Sequence, residues 1–315
     1  MKITSLLSRS TLTGAALVSS LSLFSCGGDD GPSVPEPSGE TYHSVIDGLV
    51  LPTSENNFKV FDFNDDGVND NVLSNALGIL TQSTGQSIDV LESATNEAIL
   101  AGSSIYLVGF QTPDFTTAAG AGFSLATGSN PSPAPCTDPQ DPLTCGQHLD
   151  GSGSFDLSNA SAQLKGAIAG GVFEGGEGQT VTLNVVISIE AGVPVPIPLS
   201  QARVKLSGIS ATGITTGIIG GVLTINDRDT KTFPGIVDTL QAIITRDCAP
   251  EGGECVCANG STGASVATIA APTNECVVEL TPDLQGLLET IISDDIEGVG
   301  SSVALGFSTV EAAIN

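Results

Sequence analysis

The run Val181-Thr-Leu-Asn-Val-Val-Ile-Ser-Ile189 places Val181, Leu183, Val185, Ile187 and Ile189 on one face and Thr182, Asn184 and Ser188 on the other. A period of two over this length is the signature of a strand with one buried face. Ala202-Arg-Val-Lys-Leu206 and Leu164-Lys-Gly-Ala-Ile168 alternate in the same way. Gly170-Gly-Val-Phe-Glu-Gly-Gly-Glu-Gly178, without the Lys of a phosphate loop, reads as a hairpin turn between such runs. Trp is absent and aromatics are 4% of the chain, so a core must be built from small and β-branched aliphatics, which favours sheet. The expected fold is β-rich α+β: an antiparallel β-sandwich or curved sheet with a few packed helices.

Between two strands lies Val193-Pro-Val-Pro-Ile-Pro-Leu199. Residues two apart along a strand point their N–H groups to one edge, so Pro194, Pro196 and Pro198 remove donors from that edge alone. A protected edge strand is the favoured reading, and a polyproline II connector is its rival. Helices are expected at about 71–80, at Ser87–Leu100 (stripe Ile88, Leu91, Ala94, Ala98, Ile99), at Pro234–Ile244 and at Thr281–Ile292. The last opens with a Thr N-cap, Pro at the first helical position and Asp at the positive dipole end. Further strands are expected at Ser104–Phe110 and Val303–Phe307, the second able to return to the sheet, with 111–153 read as strand fragments and a long loop. These elements divide into 42–110, an N-terminal helical unit, and 111–315, a β-rich domain.

Ahead of them stands an export signal. Lys2 and Arg9 precede an uncharged apolar stretch, Thr11 to Phe24, which ends in Leu23-Phe-Ser-Cys26. The stretch is short for a bilayer span, and a small Ser25 with Leu23 before a cysteine matches a lipobox. Residues 1–25 are therefore expected to be a lipoprotein signal peptide, and Cys26 to be acylated with palmitate as a membrane anchor. An ordinary secretory signal is the rival. Gly27, not Asp, follows Cys26, so the cell envelope, lipid-anchored at the outer membrane, is the expected location. Residues 26–41 form a lipidated, flexible tether reaching ~50 Å if extended.

Removing Lys2 and Arg9 leaves 7 cations against 35 acids, a net −28 on the mature chain. Such a surface repels nucleic acid and anionic headgroups. The expected partners are the membrane, through the lipid, and an unknown envelope or extracellular ligand. Cys136, Cys145, Cys248, Cys255, Cys257 and Cys276 are an even set in an exported chain, so three disulfides are expected. A local bridge would close the turn-rich segment between Cys136 and Cys145, and the other four would pair among themselves. A zinc site at Cys255-Val-Cys257 is disfavoured by its spacing and the lack of a nearby His.

Phe61-Asp-Phe-Asn-Asp-Asp-Gly-Val-Asn-Asp70 carries the one constellation with chemistry in it. With Asp62 as position one, oxygen ligands fall at Asp62, Asn64, Asp66 and Asp70, the carbonyl of Val68 supplies position seven, and Gly67 allows the sharp turn at six. This spacing resembles the calcium loops of EF-hands, dockerins and thrombospondin type 3 repeats. Leu73 stands where a bidentate carboxylate would close the shell, so a structural calcium with affinity of ~0.1–1 mM is expected. The plainer reading is an Asp/Asn-rich turn, with Asp70 capping the next helix. Asp294-Asp-Ile-Glu297 fits no loop spacing and is read as solvated surface.

The lipobox, the Pro/Gly/Asp tether, Phe61 to Asn71 followed by Ala76-Leu-Gly78, and the closing Leu305-Gly-Phe-Ser-Thr-Val-Glu-Ala312 together resemble secreted lipoproteins of unknown function found in myxobacteria and their relatives. That resemblance implies a cell-envelope lipoprotein and brings no activity with it.

His43 and His148 are the only histidines, neither beside a Gly-x-Ser-x-Gly elbow nor spaced for a metal. Tyr42 and Tyr106, the only tyrosines, give little material for sugar-stacking platforms. A non-enzymatic, calcium-stabilised binding or structural module is therefore the expectation, with no catalytic residue assigned. A secreted hydrolase using acidic residues is the alternative.

Overall fold

A computed structural model describes residues 34–84, 87–138, 140–176, 179–186 and 194–315. The expected signal peptide and Cys26 lie outside the described residues, as does the end of the run to Ile189. Val34–Asn315 forms one compact unit. In chain order it carries β1 (Glu40–Val50), α1 (Leu73–Thr84), α2 (Ile88–Leu100), β2 (Tyr106–Thr112), β3 (Ala118–Ser132), β4 (Ser154–Ser158), β5 (Leu164–Ala169), β6 (Val172–Gly176) and β7 (Val181–Val186). There follow β8 (Pro194–Ser210), β9 (Gly213–Thr224), α3 (Ile225–Asp227), α4 (Phe233–Asp247), β10 (Cys248–Glu251), β11 (Glu254–Cys257), α5 (Thr262–Ala270), α6 (Pro282–Ile291), β12 (Gly300–Glu311) and β13 (Ala313–Ile314).

The chain is β-rich, antiparallel and carries a few helices, as expected, but the sheet is neither a sandwich nor an open curve. β3 pairs with β5 as well as with β2, and this closes the ring β1-β2-β3-β5-β6-β8-β9-β12 into an eight-stranded barrel. Each barrel strand is antiparallel to the next barrel strand along the chain, and the last returns to the first. Alternation alone gives each strand a buried face; it does not say whether that face meets a second sheet or the far wall of the same one. Nor do the strands divide at residue 110. The expected boundary falls inside β2, and strands from both sides of it share the ring.

The meander puts connections alternately at two rims. At one rim they are short: 113–117, the Gly170-Gly171 pair and 211–212. Gly170 and Gly171 have φ of +59° and +78°, as a two-residue primed hairpin turn needs. At the other rim the chain inserts everything else: 51–105, 133–163, 177–193 and 225–299.

Inside the ring lies one apolar core, including Ile46, Val108, Phe110, Phe123, Leu164, Phe173, Val204, Leu206, Ile219, Leu305 and Phe307. Phe110 and Phe173 meet edge to face at 5.2 Å. In β5, buried Leu164, Gly166 and Ile168 alternate with exposed Lys165, Ala167 and Ala169. A bulge between Ile46 and Gly48 resets β1 so that both Ile46 and Leu49 join this core. Tyr106 is buried here too. Its hydroxyl accepts from the Asn184 N–H at 3.0 Å and donates to the Asn184 carbonyl, tying β2 to β7. Burial pushes its pKa up to about 12. On the outer wall, β4 pairs with the end of β3, and Phe155 packs with Val45, Ile105, Leu107, Ala126 and Ala312 in a second, smaller core.

The expected fragments between 111 and 153 include one 15-residue strand, β3. Its start, Ala-Ala-Gly-Ala-Gly, lacks apolar alternation because neighbouring chain approaches closely. A Cβ on Gly120 would stand 2.6 Å from the Glu36 carbonyl oxygen. Residues 34–39 of the expected tether thus lie along the wall, where Lys165 pairs with Glu36 at 2.6 Å.

The proline run is the first part of β8, with Pro194, Pro196 and Pro198 facing β7 residues Val186, Asn184 and Thr182 in register. Among the described residues its other edge meets no strand; there the Thr232 hydroxyl donates to the Pro196 carbonyl at 2.8 Å. The edge-strand reading therefore holds.

The insertion 225–299 has its own cluster, centred on Phe233, Ile244, Val266, Val278, Leu284 and Leu288. Thr281 caps α6 by accepting the Leu284 N–H, with Pro282 and Asp283 following as expected. Cys248–Cys257 spans the β10–β11 hairpin and Cys255–Cys276 ties it to the following segment, while Cys136–Cys145 closes its local loop. The guanidinium of buried Arg228 bonds Asp294 at 2.7 Å and Asp229 at 3.0 Å and sits over the Phe233 ring. Asp294 is thereby a structural partner and not merely solvated surface. Among the described residues no helix is long and apolar enough to cross a membrane.

Leu206 is fully buried in the barrel. Leu206→Ala should lower unfolding free energy by ~2–5 kcal/mol in urea titration, through lost burial and a residual cavity. A loss below about 0.5 kcal/mol would contradict a packed interior.

Candidate metal centre

β1 stops pairing with β12 at Val50↔Gly306, leaving the backbone of β12 from Ser302 to Ala304 open on that side. The chain returns to fill it. Asn71 donates its side-chain amide to the Ala304 carbonyl at 2.9 Å and accepts the Ala304 N–H at 3.0 Å, as a strand neighbour would. Its amide also reaches the Asn57 carbonyl at 2.7 Å, and the Val72 N–H bonds the Ser302 carbonyl at 3.0 Å. Asp295 accepts the Ser302 N–H at 2.7 Å and a close contact from its hydroxyl, a second departure from solvated surface in that acidic run.

Between β1 and Asn71 stands the Asp-rich loop. The Asp70 N–H bonds the Phe61 carbonyl at 2.7 Å and closes the loop at its base. Phe61 and Phe63 pack on the barrel wall with Val222 and Ile296. Gly220 makes room: a Cβ there would meet the Phe61 ring at 3.1 Å and the Ala304 side chain at 2.9 Å. Arg203, reaching out from β8, donates to the Asp62 carbonyl at 2.7 Å and lies 5.4 Å over the Phe63 ring.

Within the loop, Gly67 turns at φ +85° and Asp65 at +58°. The Asp62 carboxylate accepts N–H groups from Gly67 at 2.7 Å and Asp66 at 3.2 Å. Asn64 accepts the Asp66 N–H at 3.1 Å and donates its amide to the Asp66 carboxylate at 3.1 Å. Asp66 also accepts the Val68 N–H at 2.7 Å. Asp62, Asn64 and Asp66 are thus gathered by direct bonds. Asp70 is turned inward to the Phe63 N–H at 2.9 Å, and burial, then the charges of Asp295, Asp66 and Asp62, raise its pKa against that bond. It does not cap α1; the Leu73 N–H bonds Asn71 at 3.2 Å instead.

Three carboxylates do not converge here. Among the described residues, the sole trio of His, Cys, Asp or Glu ligand atoms lying within 4.8 Å of one another is Cys248, Cys255 and Cys257, whose sulfurs are held in disulfides. The loop has the turn and the gathered oxygens of a calcium loop, and a complete shell would draw on Asn64, the Val68 carbonyl and water. The spacing marked the candidate ligands; the docking residues Arg203, Asn71 and Asp295 went unseen.

The histidines are not brought together as a base with a partner. His148 is fully buried beside Phe155, with neither ring nitrogen hydrogen-bonded. Tyr106 is interior, and Tyr42 lies against Phe115 at 4.8 Å. A cavity of about 390 Å³ on the outer wall is lined by Asp62, Glu174, Lys165, Arg203 and Lys205, where Lys205 pairs with Glu174 at 2.6 Å. Comparison with family models, characterised proteins and solved structures finds no match to this chain.

Burial lowers the His148 pKa, opposed more weakly by the nearby Ile99 backbone. The neutral ring is the form the fold accepts. Its contribution to stability is full above the unfolded value near 6.5 and declines as pH falls through it, by about 1.4 kcal/mol per unit of depression. Urea midpoints measured at pH 7.5 and 5 should show a drop that shrinks in His148→Phe. An equal drop in both proteins would assign the acid sensitivity elsewhere.

Proposed function

We propose that this protein is a lipid-anchored, non-enzymatic module of the cell envelope, held at the outer membrane through Cys26 and stabilised by calcium in the loop from Asp62 to Asp70. The observation that supports a structural calcium is the seat of that loop. It leads directly into Asn71, which stands in for the missing neighbour of β12. A cation that fixes Asp62, Asn64 and Asp66 therefore stiffens the segment completing the barrel wall. The loop's anchors face the wall and leave its oxygen-rich tip exposed, with Asn64, Asp65, Asp66 and Val68 open to solvent. This suits a site filled from an extracellular pool. The acidic surface suits capture of a neutral or cationic envelope partner and disfavours nucleic acid.

Thermal unfolding in EDTA, then in about 5 mM calcium or magnesium, tests the metal. Calcium should stabilise by ~1–2 kcal/mol, magnesium should not, and Asp62→Ala with Asp66→Ala should abolish the gain. No calcium-selective shift would reduce the loop to a turn. Separately, Cys26→Ser should abolish palmitate labelling and release the protein from the membrane fraction. Unchanged fractionation would overturn the lipid anchor.

A further inference from the structure

The two longest insertions meet over the mouth of the barrel, and they do not fill the space between them. α1 and α2 from one insertion, and α4 and α6 from the other, line with β7, β8 and β12 a partly open cavity of about 120 Å³. Its wall is built from aliphatic side chains, Leu77, Leu91, Val195, Ile236, Leu288 and Leu305 among them.

Among the described residues, two hydroxyls reach the lining, and both are hydrogen-bonded. Thr95 donates to the Leu91 carbonyl at 3.2 Å and Thr232 to the Pro196 carbonyl at 2.8 Å. Water in a protein interior needs two to four polar partners, and among the described residues this wall has no charged side chain and no uncommitted side-chain hydroxyl to supply them. Apolar cavities of about 150 Å³ stay dry and take up benzene. The barrel interior below is filled by rings and branched aliphatics, so the space belongs to the seam where separately inserted helices converge.

We infer that this seam is a binding site for a small uncharged apolar molecule, a single hydrocarbon ring or a short alkyl chain of about six carbons. Exclusion is part of its chemistry: a carboxylate, amine or sugar entering it would lose its hydration without gaining a partner. The inference goes beyond the envelope-module reading and stands on different residues. Its failure would leave the calcium and lipid tests untouched, and their failure would leave it intact.

Thermal unfolding with benzene as the probe tests it. At a concentration near one hundred times its Kd, benzene should raise Tm by about 4 °C. Ala76→Leu, which places a larger side chain into the cavity from α1, should raise the ligand-free Tm and remove the benzene response. Should that variant fail to fold, Leu91→Ala enlarges the same cavity and should strengthen the response to benzene. Tm unmoved by benzene in the unmodified protein, an equal rise in Ala76→Leu, or an unchanged response in Leu91→Ala would each overturn the site.

Discussion

A closed sheet has no edge, so each strand must find a neighbour along its full length or offer its N–H and C=O groups something else. Here the closing pair is β1 with β12, joining Ser44 to Glu311, and neither partner is covered throughout. Side chains complete the ladder. Asn71 pairs with Ala304 on β12, while on β1 Asn96 bonds both the N–H and the carbonyl of Leu49, and Glu92 takes the Leu51 N–H. The helices and the Asp-rich loop are held by the same contacts. Unsatisfied buried backbone groups are costly, so the mouth of the barrel depends on three polar side chains as much as on its apolar core.

What could be read along the chain was local. β5, β7 and the proline-bearing part of β8 announce themselves by alternation, and α2, α4 and α6 by stripes, α6 by its cap as well. The division of the cysteines into a local pair and a cluster of four followed from spacing and loop length. What was hidden was non-local. Nothing in β3 or β5 alone says that they pair with each other and so turn an open sheet into a barrel. β3 was hidden further by its composition, because Gly120 and Gly122 are small where Glu36 and Gln163 press against the wall. A run that small reads as loop.

The same limit applies to the candidate metal centre. Its candidate ligands lie within nine residues, close enough for spacing to suggest them; its supports come from 141 residues away at Arg203 and 233 at Ala304. Asp294 and Asp295 looked like solvated acids because charge alone does not reveal a partner. One meets the guanidinium of Arg228 and the other the backbone of Ser302. With only nine Lys and Arg in the chain, those that point at the barrel wall or a helix junction, Arg203 and Arg228, have become fastenings.

The two rims divide the labour of the fold. The short-turn rim sets register: lengthening any of its connections by one residue would press on strands whose inward faces are already packed. The opposite rim has absorbed helices, a hairpin and all three disulfides, while the ring beneath keeps its strand order. Away from Asn71, Asn96 and Ile99, which reach the wall and the core, change can accumulate there at little cost to the ring. A lineage built on this barrel is therefore free to diverge at one end while conserving the other, and two members could share every strand yet have little in common where they meet other molecules.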